Sequence, residues 1–209
     1  HYLFVDTDHF WFDTRPNLRR EMESRKGKIN LHDLRSTLKA QTTKIAGHGS
    51  LFAGIHVFTP HADVPDEAGN GPRLVLLPPE AESAFSPMER QLAGKTAEEI
   101  LNKRGEQPRM RRNRLFFLAP DMKTSSRLQD QCRTYLAWEE IVKDIESSRL
   151  NLDLFQAKQA KKELEISRKI LEQAILECYR YVMIPRLNGP NKVDFDVRRI
   201  GTSSSSIAA

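Results

Sequence analysis

Basic residues are concentrated in two stretches of the chain, and guanidinium and ammonium groups clustered in this way could bind phosphate. Residues 15–44 contain nine basic and three acidic residues, and residues 103–115 contain six basic residues and one acidic residue. The candidate nucleic-acid contacts within them are Arg15, Arg19, Arg20, Lys26, Lys28, Arg109, Arg111 and Arg112. The alternative is that both clusters form a solvated face or pair with an acidic partner.

Two shorter motifs would indicate enzymatic chemistry. Residues 94–96 (GKT) match the end of a phosphate-binding loop, but Glu89 stands where the first glycine is required, and the segment has a helical pattern. We therefore expect no nucleotide site of that type. Residues 121–123 (DMK), with Asp63 and Asp66, would supply the acids and the lysine of a Mg²⁺-dependent nuclease. The alternative is that the aspartate at 121 caps a turn or a helix.

The elements that must position these groups follow from the hydrophobic pattern. Apolar runs at 2–5 and 9–12 predict a β-hairpin, which resembles the wing of a winged helix and is followed by a helix that ends near Gly27. Three apolar runs, 51–58, 73–77 and 114–118, predict buried strands of a parallel sheet, with a helix over 86–104 between the last two.

The last third of the chain has a helical pattern. Ser125 or Ser126 is the predicted cap of one helix, and Asp153 caps a second helix that ends before Pro185. Residues 193–197 alternate between apolar and charged, which predicts a closing strand. The sequence thus predicts an α/β fold: a small, mostly parallel sheet of three or four strands covered by helices, with a long antiparallel helical hairpin and a wing-like N-terminal β-hairpin.

The predicted organisation has three parts, a wing-like hairpin plus helix (1–27) left from a preceding domain, an α/β domain (28–200) with the helical hairpin at about 125–184, and a flexible tail (201–209). The chain has 209 residues, 39% of them apolar and 29% charged, and a net charge of +5. It contains no apolar run long enough for a membrane-spanning helix. Two cysteines exclude a disulfide scaffold and favour a reducing, cytoplasmic location. The start at His1 indicates a piece of a longer protein.

Several segments together resemble one protein family. They are residues 2–4, 10–22, 54–60, 63–66, 73–79, 104–105, 107–109, 113–121, 136–138 and 151–153. Their order resembles the carboxy-terminal region of large prokaryotic P-loop (AAA-type) ATPases of domain-of-unknown-function family 499, which are often found in anti-phage defence islands. The resemblance places the Walker motifs, and with them ATP and Mg²⁺, in a part of the parent protein outside this chain. It therefore assigns no catalytic residue, cofactor or metal site here.

Three functional hypotheses remain from the sequence. The first is a non-catalytic accessory domain of such an ATPase, which contacts double-stranded DNA or couples ATPase motion to a partner through the two basic segments. The second is a structural or protein-interaction module that docks through the helical hairpin, with Lys158, Lys161, Lys162 and Glu165 on its charged face. The third is the metal-dependent nuclease. The rest of the parent ATPase is the first expected partner, and no membrane is expected.

Overall fold

A computed structural model describes residues 2–6, 9–13, 17–47, 51–67, 71–88, 91–150, 152–188 and 193–201. Arg15, the turn of the predicted hairpin and nearly all of the predicted tail lie outside these residues. The elements are β1 (Tyr2–Asp6), β2 (His9–Asp13), α1 (Leu18–Lys26), α2 (Leu31–Ala46), β3 (Gly54–Val57), β4 (Arg73–Leu76), α3 (Gln91–Asn102), β5 (Lys103–Arg104), β6 (Gln107–Pro108), β7 (Leu115–Pro120), α4 (Met122–Glu146), α5 (Leu154–Cys178), β8 (Tyr179–Leu187) and β9 (Val193–Arg199). None of the described helices is long and apolar enough to cross a membrane.

The chain is an α/β protein whose main sheet has five strands in the order β3-β4-β7-β8-β9. The pairings β3–β4 and β4–β7 are parallel, whereas β7–β8 and β8–β9 are antiparallel. The expectation of three or four mostly parallel strands is therefore corrected, because two antiparallel strands extend the parallel part. Elsewhere, β1 pairs with β2 in antiparallel register from Tyr2 with Asp13 to Asp6 with His9.

The fourth strand, β8, replaces the end of the predicted helical hairpin. The predicted helix extended to Pro185, but α5 ends at Cys178 and the next residue begins β8. Pro185 lies beyond the last pair of β8 with β7, which joins Phe117 to Met183, and it stands opposite Phe195 of β9. At that position the missing proline N–H removes no bond to β7.

The residues divide into two compact units. Unit 1 comprises His1–Leu38 and Gln129–Leu171, and unit 2 comprises Lys39–Leu128 and Glu172–Ala209. The predicted boundary between residues 27 and 28 stays a prediction. In unit 1, α1 and parts of α4 and α5 share a core whose buried members are Leu18, Met22, Ala137, Trp138, Ile141, Val142 and Ala160.

The core of unit 2 lies between α3 and one face of the sheet. Val75 and Leu77 at β4, and Leu115 and Phe117 on β7, point to this face and are buried with residues of α3. Successive side chains of a strand point to opposite faces, and the intervening Leu74, Leu76 and Leu118 are buried as well. Burial on both faces explains why β4 and β7 have continuous apolar sequences.

Candidate functional site

The N-terminus of α1 presents two of the predicted phosphate contacts. Asn17 caps the helix, and its Oδ1 accepts hydrogen bonds from the backbone N–H groups of Arg19 (3.0 Å) and Arg20 (3.2 Å). Both arginine side chains are exposed, and neither has a carboxylate partner among the described residues. Their backbone is held by the cap of the helix, and their charged side chains extend from it into solvent.

The other basic residues of α1 attach the helix to α4. Arg25 contacts Asp144 (2.6 Å) and Glu21 (2.8 Å), and Lys26 contacts Asp130 (2.9 Å). Burial alone would lower the pKa of Arg25, but the hydrogen bonds and charges of Glu21 and Asp144 outweigh it and raise the pKa. The predicted cluster therefore contains cations that pair with acids of unit 1 and cations that are exposed to solvent. Lys26 is engaged within unit 1, whereas Lys28, just after the helix, is exposed.

The second basic cluster is built around a buried arginine, Arg109. Its side chain is only 1% exposed. The guanidinium group donates five hydrogen bonds, all to backbone carbonyls, at Ile100 (2.8 Å), Pro65 (3.0 Å), Val64 (3.1 Å), His61 (3.3 Å) and Lys103 (3.4 Å). The prediction that Arg109 contacts DNA is corrected on this ground, because its donors already have partners inside the fold.

Arg109 joins the end of α3 to the segment that follows β3. The last carbonyls of a helix lack partners within the helix, and here the guanidinium group supplies a partner for the carbonyl of Ile100 and also binds the carbonyl of Lys103, the first residue after the helix. The same group binds three carbonyls of residues 61–65. Burial lowers the pKa of Arg109, and the negative charge of Asp66, whose Oδ1 lies 4.0 Å away, opposes that decrease.

Asp66 completes the hydrogen-bond network around Arg109. Its carboxylate accepts hydrogen bonds from the backbone N–H groups of Met110 (2.7 Å) and Arg111 (3.0 Å), while Arg111 Nη1 donates to the Asp66 carbonyl (2.9 Å). Burial alone would raise the pKa of Asp66, but these two N–H groups and the charges of Arg109 and Arg111 outweigh it and lower the pKa. Asp66 therefore stays ionised and holds the chain ahead of β7.

Among the predicted nucleic-acid contacts of the second cluster, Arg112 is the one that lines a groove, while Lys103 and Arg104 at the start of the cluster are exposed. Arg112 Nε donates to the Arg109 carbonyl (3.4 Å). The residue lines a groove of about 500 Å³ together with Asn113, Met110 and Arg186, among others. Arg186 is held by Asp196 at 2.6 Å. Arg111 and Arg112 are both partly buried, so this cluster offers less free positive charge than its composition suggests.

The acids of the nuclease hypothesis are not brought together. The Asp66 carboxylate is bonded to residues 110 and 111, before β7 begins, whereas Asp121 follows the end of β7. The six residues of that strand correspond to about 20 Å of extended chain. Asp121 Oδ1 accepts a hydrogen bond from the backbone N–H of Lys123 (3.0 Å), which is a helix-capping contact at the start of α4. That cap replaces the predicted Ser125 or Ser126.

Residues 94–96, the GKT motif, lie inside α3. The hydroxyl of Thr96 donates to the carbonyl of Glu82 (3.3 Å). Within the described part of the chain, no group of three or more His, Cys, Asp or Glu side chains could hold a metal ion.

Sequence reasoning missed two features of these units. A charged residue between Pro108 and Met110 suggests a surface position, and nothing near it indicates that Arg109 is buried against a segment more than 40 positions away. The second feature is the exposure of two apolar side chains at the start of α5, since Leu154 is 83% exposed and Phe155 is 75% exposed. The outer face of α5 therefore carries apolar side chains as well as the predicted lysines.

Comparisons with known proteins give the chain no family: no family model, curated protein or solved structure matches it.

Proposed function

We propose that this chain is a non-catalytic accessory domain of a large P-loop ATPase and that it contacts the phosphates of duplex DNA through the N-terminal end of α1. One observation carries the proposal. Arg19 and Arg20 are exposed and have no carboxylate partner among the described residues, while Arg25 and Lys26 on the same helix are engaged with acids of α4.

The arrangement suits contacts with the phosphate backbone of DNA rather than sequence-specific contacts with its bases. Two adjacent guanidinium groups at one end of a short helix can each bind a phosphate oxygen, and such contacts position a protein without reading sequence. Leu18 and Met22, buried in the unit 1 core, hold the helix in place from its other side. Prior fixation of α1 reduces the conformational entropy that binding must remove.

The assignment to an ATPase rests on the resemblance of the sequence segments, in which the nucleotide-binding motifs belong to another part of the parent. Under this proposal ATP and Mg²⁺ bind there, and the present chain supplies contacts. Purified chain is therefore expected to hydrolyse no ATP above the rate without protein, and normal turnover by the chain alone would contradict the accessory role.

Fluorescence anisotropy with a short labelled DNA duplex tests the contact. At about 50 mM salt the chain is expected to bind, and the Arg19→Ala/Arg20→Ala variant is expected to bind at least about tenfold more weakly. The matched control is Lys158→Ala/Lys162→Ala, which removes the same charge from exposed positions of α5. Equal losses in both variants would show that only net charge matters, and the α1 contact would then be abandoned.

A further inference from the structure

The outer face of α5 carries exposed apolar side chains at helical spacing. Phe155 is 75% exposed, Ile166 is 40% exposed and Ile170 is 41% exposed. At about 100° per residue, the three side chains fall within an arc of about 60°, and they extend over about 22 Å of the helix. This set is called the α5 stripe below.

Three lysines border the α5 stripe on one side, within about 60° of Phe155 around the helix. Lys158, Lys162 and Lys169 are exposed and have no carboxylate partner among the described residues. Other cations of the helix differ, because Lys161 pairs with Glu146 (3.0 Å) and Arg168 pairs with Glu165 (3.1 Å). The three lysines beside the α5 stripe are thus the cations of this helix that no carboxylate of the described residues neutralises.

The opposite face of the helix is already occupied. Ala160 is buried together with Ala137, Trp138 and Ile141 of α4, and Leu164 packs against the same cluster. Because α5 is anchored through that face, the α5 stripe is not needed for the core of unit 1. A contiguous exposed apolar patch bordered by polar groups marks a protein interaction surface, and Ile166 and Ile170, one turn apart, form such a patch, with Phe155 three turns away on the same side of the helix.

We propose that the α5 stripe is a docking surface for an amphipathic helix of a partner protein, and that this helix carries aspartate or glutamate beside its apolar face. A narrow row at spacings of four and eleven residues matches the apolar face of a second helix. The three lysines favour an acidic partner, because aspartate or glutamate beside the apolar face of the partner helix would neutralise their charge.

Other occupants fit the surface less well. Between residues 155 and 170, the arc of about 120° that holds the α5 stripe and the three lysines contains no carboxylate, and Glu163 and Glu165 lie about 20° beyond its two edges. Two copies of α5 facing each other through this arc would therefore bring lysines together. Duplex DNA would be attracted by the lysines, but it offers no apolar surface to the α5 stripe. An acidic amphipathic helix satisfies both the apolar and the charged side chains.

Two synthetic peptides of about 20 residues test the proposal. Both present the same leucine stripe, flanked by glutamates in one peptide and by lysines in the other. Anisotropy with the full chain is expected to show binding of the glutamate peptide and at least about tenfold weaker binding of the lysine peptide. Lys162→Glu/Lys169→Glu is expected to reverse this preference, and Lys44→Glu/Lys123→Glu, on exposed sites elsewhere, is the charge control.

The apolar contribution is tested separately. Ile166→Ser/Ile170→Ser is expected to weaken binding of the glutamate peptide at least about tenfold, whereas Leu31→Ser/Met88→Ser, at residues 73% and 95% exposed, is expected to leave it unchanged. Equal binding of both peptides, or equal effects of both serine pairs, would overturn the proposal. So would self-association in analytical ultracentrifugation that Ile166→Ser/Ile170→Ser abolishes. Arg19→Ala/Arg20→Ala is expected to bind the peptide normally, which separates this surface from the DNA contact.

Discussion

At the scale of single residues, burial separates the basic side chains that build the fold from those available to a ligand. Arg109 is enclosed by carbonyl acceptors, and Lys26 is paired with Asp130, whereas Arg19 and Arg20 remain exposed. Composition alone cannot make this distinction, because it depends on which distant residues fold against each side chain. The sequence predicted the two clusters correctly as concentrations of charge but could not assign the role of each arginine.

Replacing Arg109 tests whether this buried arginine stabilises the fold. Arg109→Ala is expected to lower the free energy of unfolding by about 3 kcal/mol, because it leaves buried carbonyls and the Asp66 carboxylate without their partner. Urea unfolding measures the loss, with the exposed Arg104→Ala as control, for which a change within about 0.5 kcal/mol is expected. Similar midpoints and slopes for the two variants would contradict the account.

Asp66 makes the stability contributed by the Arg109 network depend on pH. Its pKa in the folded protein lies below the ordinary value of 3.8, so the unfolded chain binds more protons in acid, and the stabilisation is lost as pH falls through the folded pKa. Unfolding of the wild type and of Asp66→Asn should therefore be compared between about pH 6 and about pH 3. The stability advantage of the wild type is expected to shrink across that range, and a constant difference would show that the carboxylate charge is not involved.

At the scale of elements, the sequence predicted most helices and strands but not all of their ends. The apolar runs identified β3, β4 and β7, and Asp153 caps α5 by accepting from the N–H of Gln156 (2.7 Å), as predicted. The strand β8 was missed because Cys178 and Val182 continue the helical apolar pattern. Tyr179 and Met183 are nevertheless buried in the sheet region, which only the three-dimensional packing reveals. The cap of α1 is Asn17.

The Asn17 cap connects helix stability with the position of the two arginines. Asn17→Ala is expected to reduce the free energy of unfolding by about 1 kcal/mol, since two N–H groups lose their acceptor. Thermal or urea unfolding measures the loss. Asn17→Asp is the control, because a carboxylate keeps the acceptor and suits the positive end of the helix. A loss of the same size in both variants would argue against the capping role.

At the scale of the whole molecule, the two cysteines report on different units. Cys132 belongs to unit 1 and Cys178 to unit 2, and both are fully buried. Burial raises the pKa of Cys132 to about 12 and also raises the pKa of Cys178. Reactive thiolate is therefore scarce at neutral pH, and each thiol is shielded by the core around it.

Thiol labelling can follow each unit separately. In the native chain, neither cysteine is expected to react with an aromatic disulfide reagent at neutral pH, and each is expected to react once denaturant unfolds its unit. Cys132→Ala and Cys178→Ala assign the signals. Rapid labelling of either residue without denaturant would contradict the burial described for that unit.

The most direct test of the central claim is the salt dependence of duplex DNA binding by the full chain. Each phosphate contact contributes about 0.9 to the slope of log affinity against log salt concentration. The account predicts measurable binding at about 50 mM salt and a slope that is smaller by about 2 in Arg19→Ala/Arg20→Ala than in the wild type. No binding at low salt, or an unchanged slope in that variant, would contradict a DNA contact made by the N-terminal end of α1.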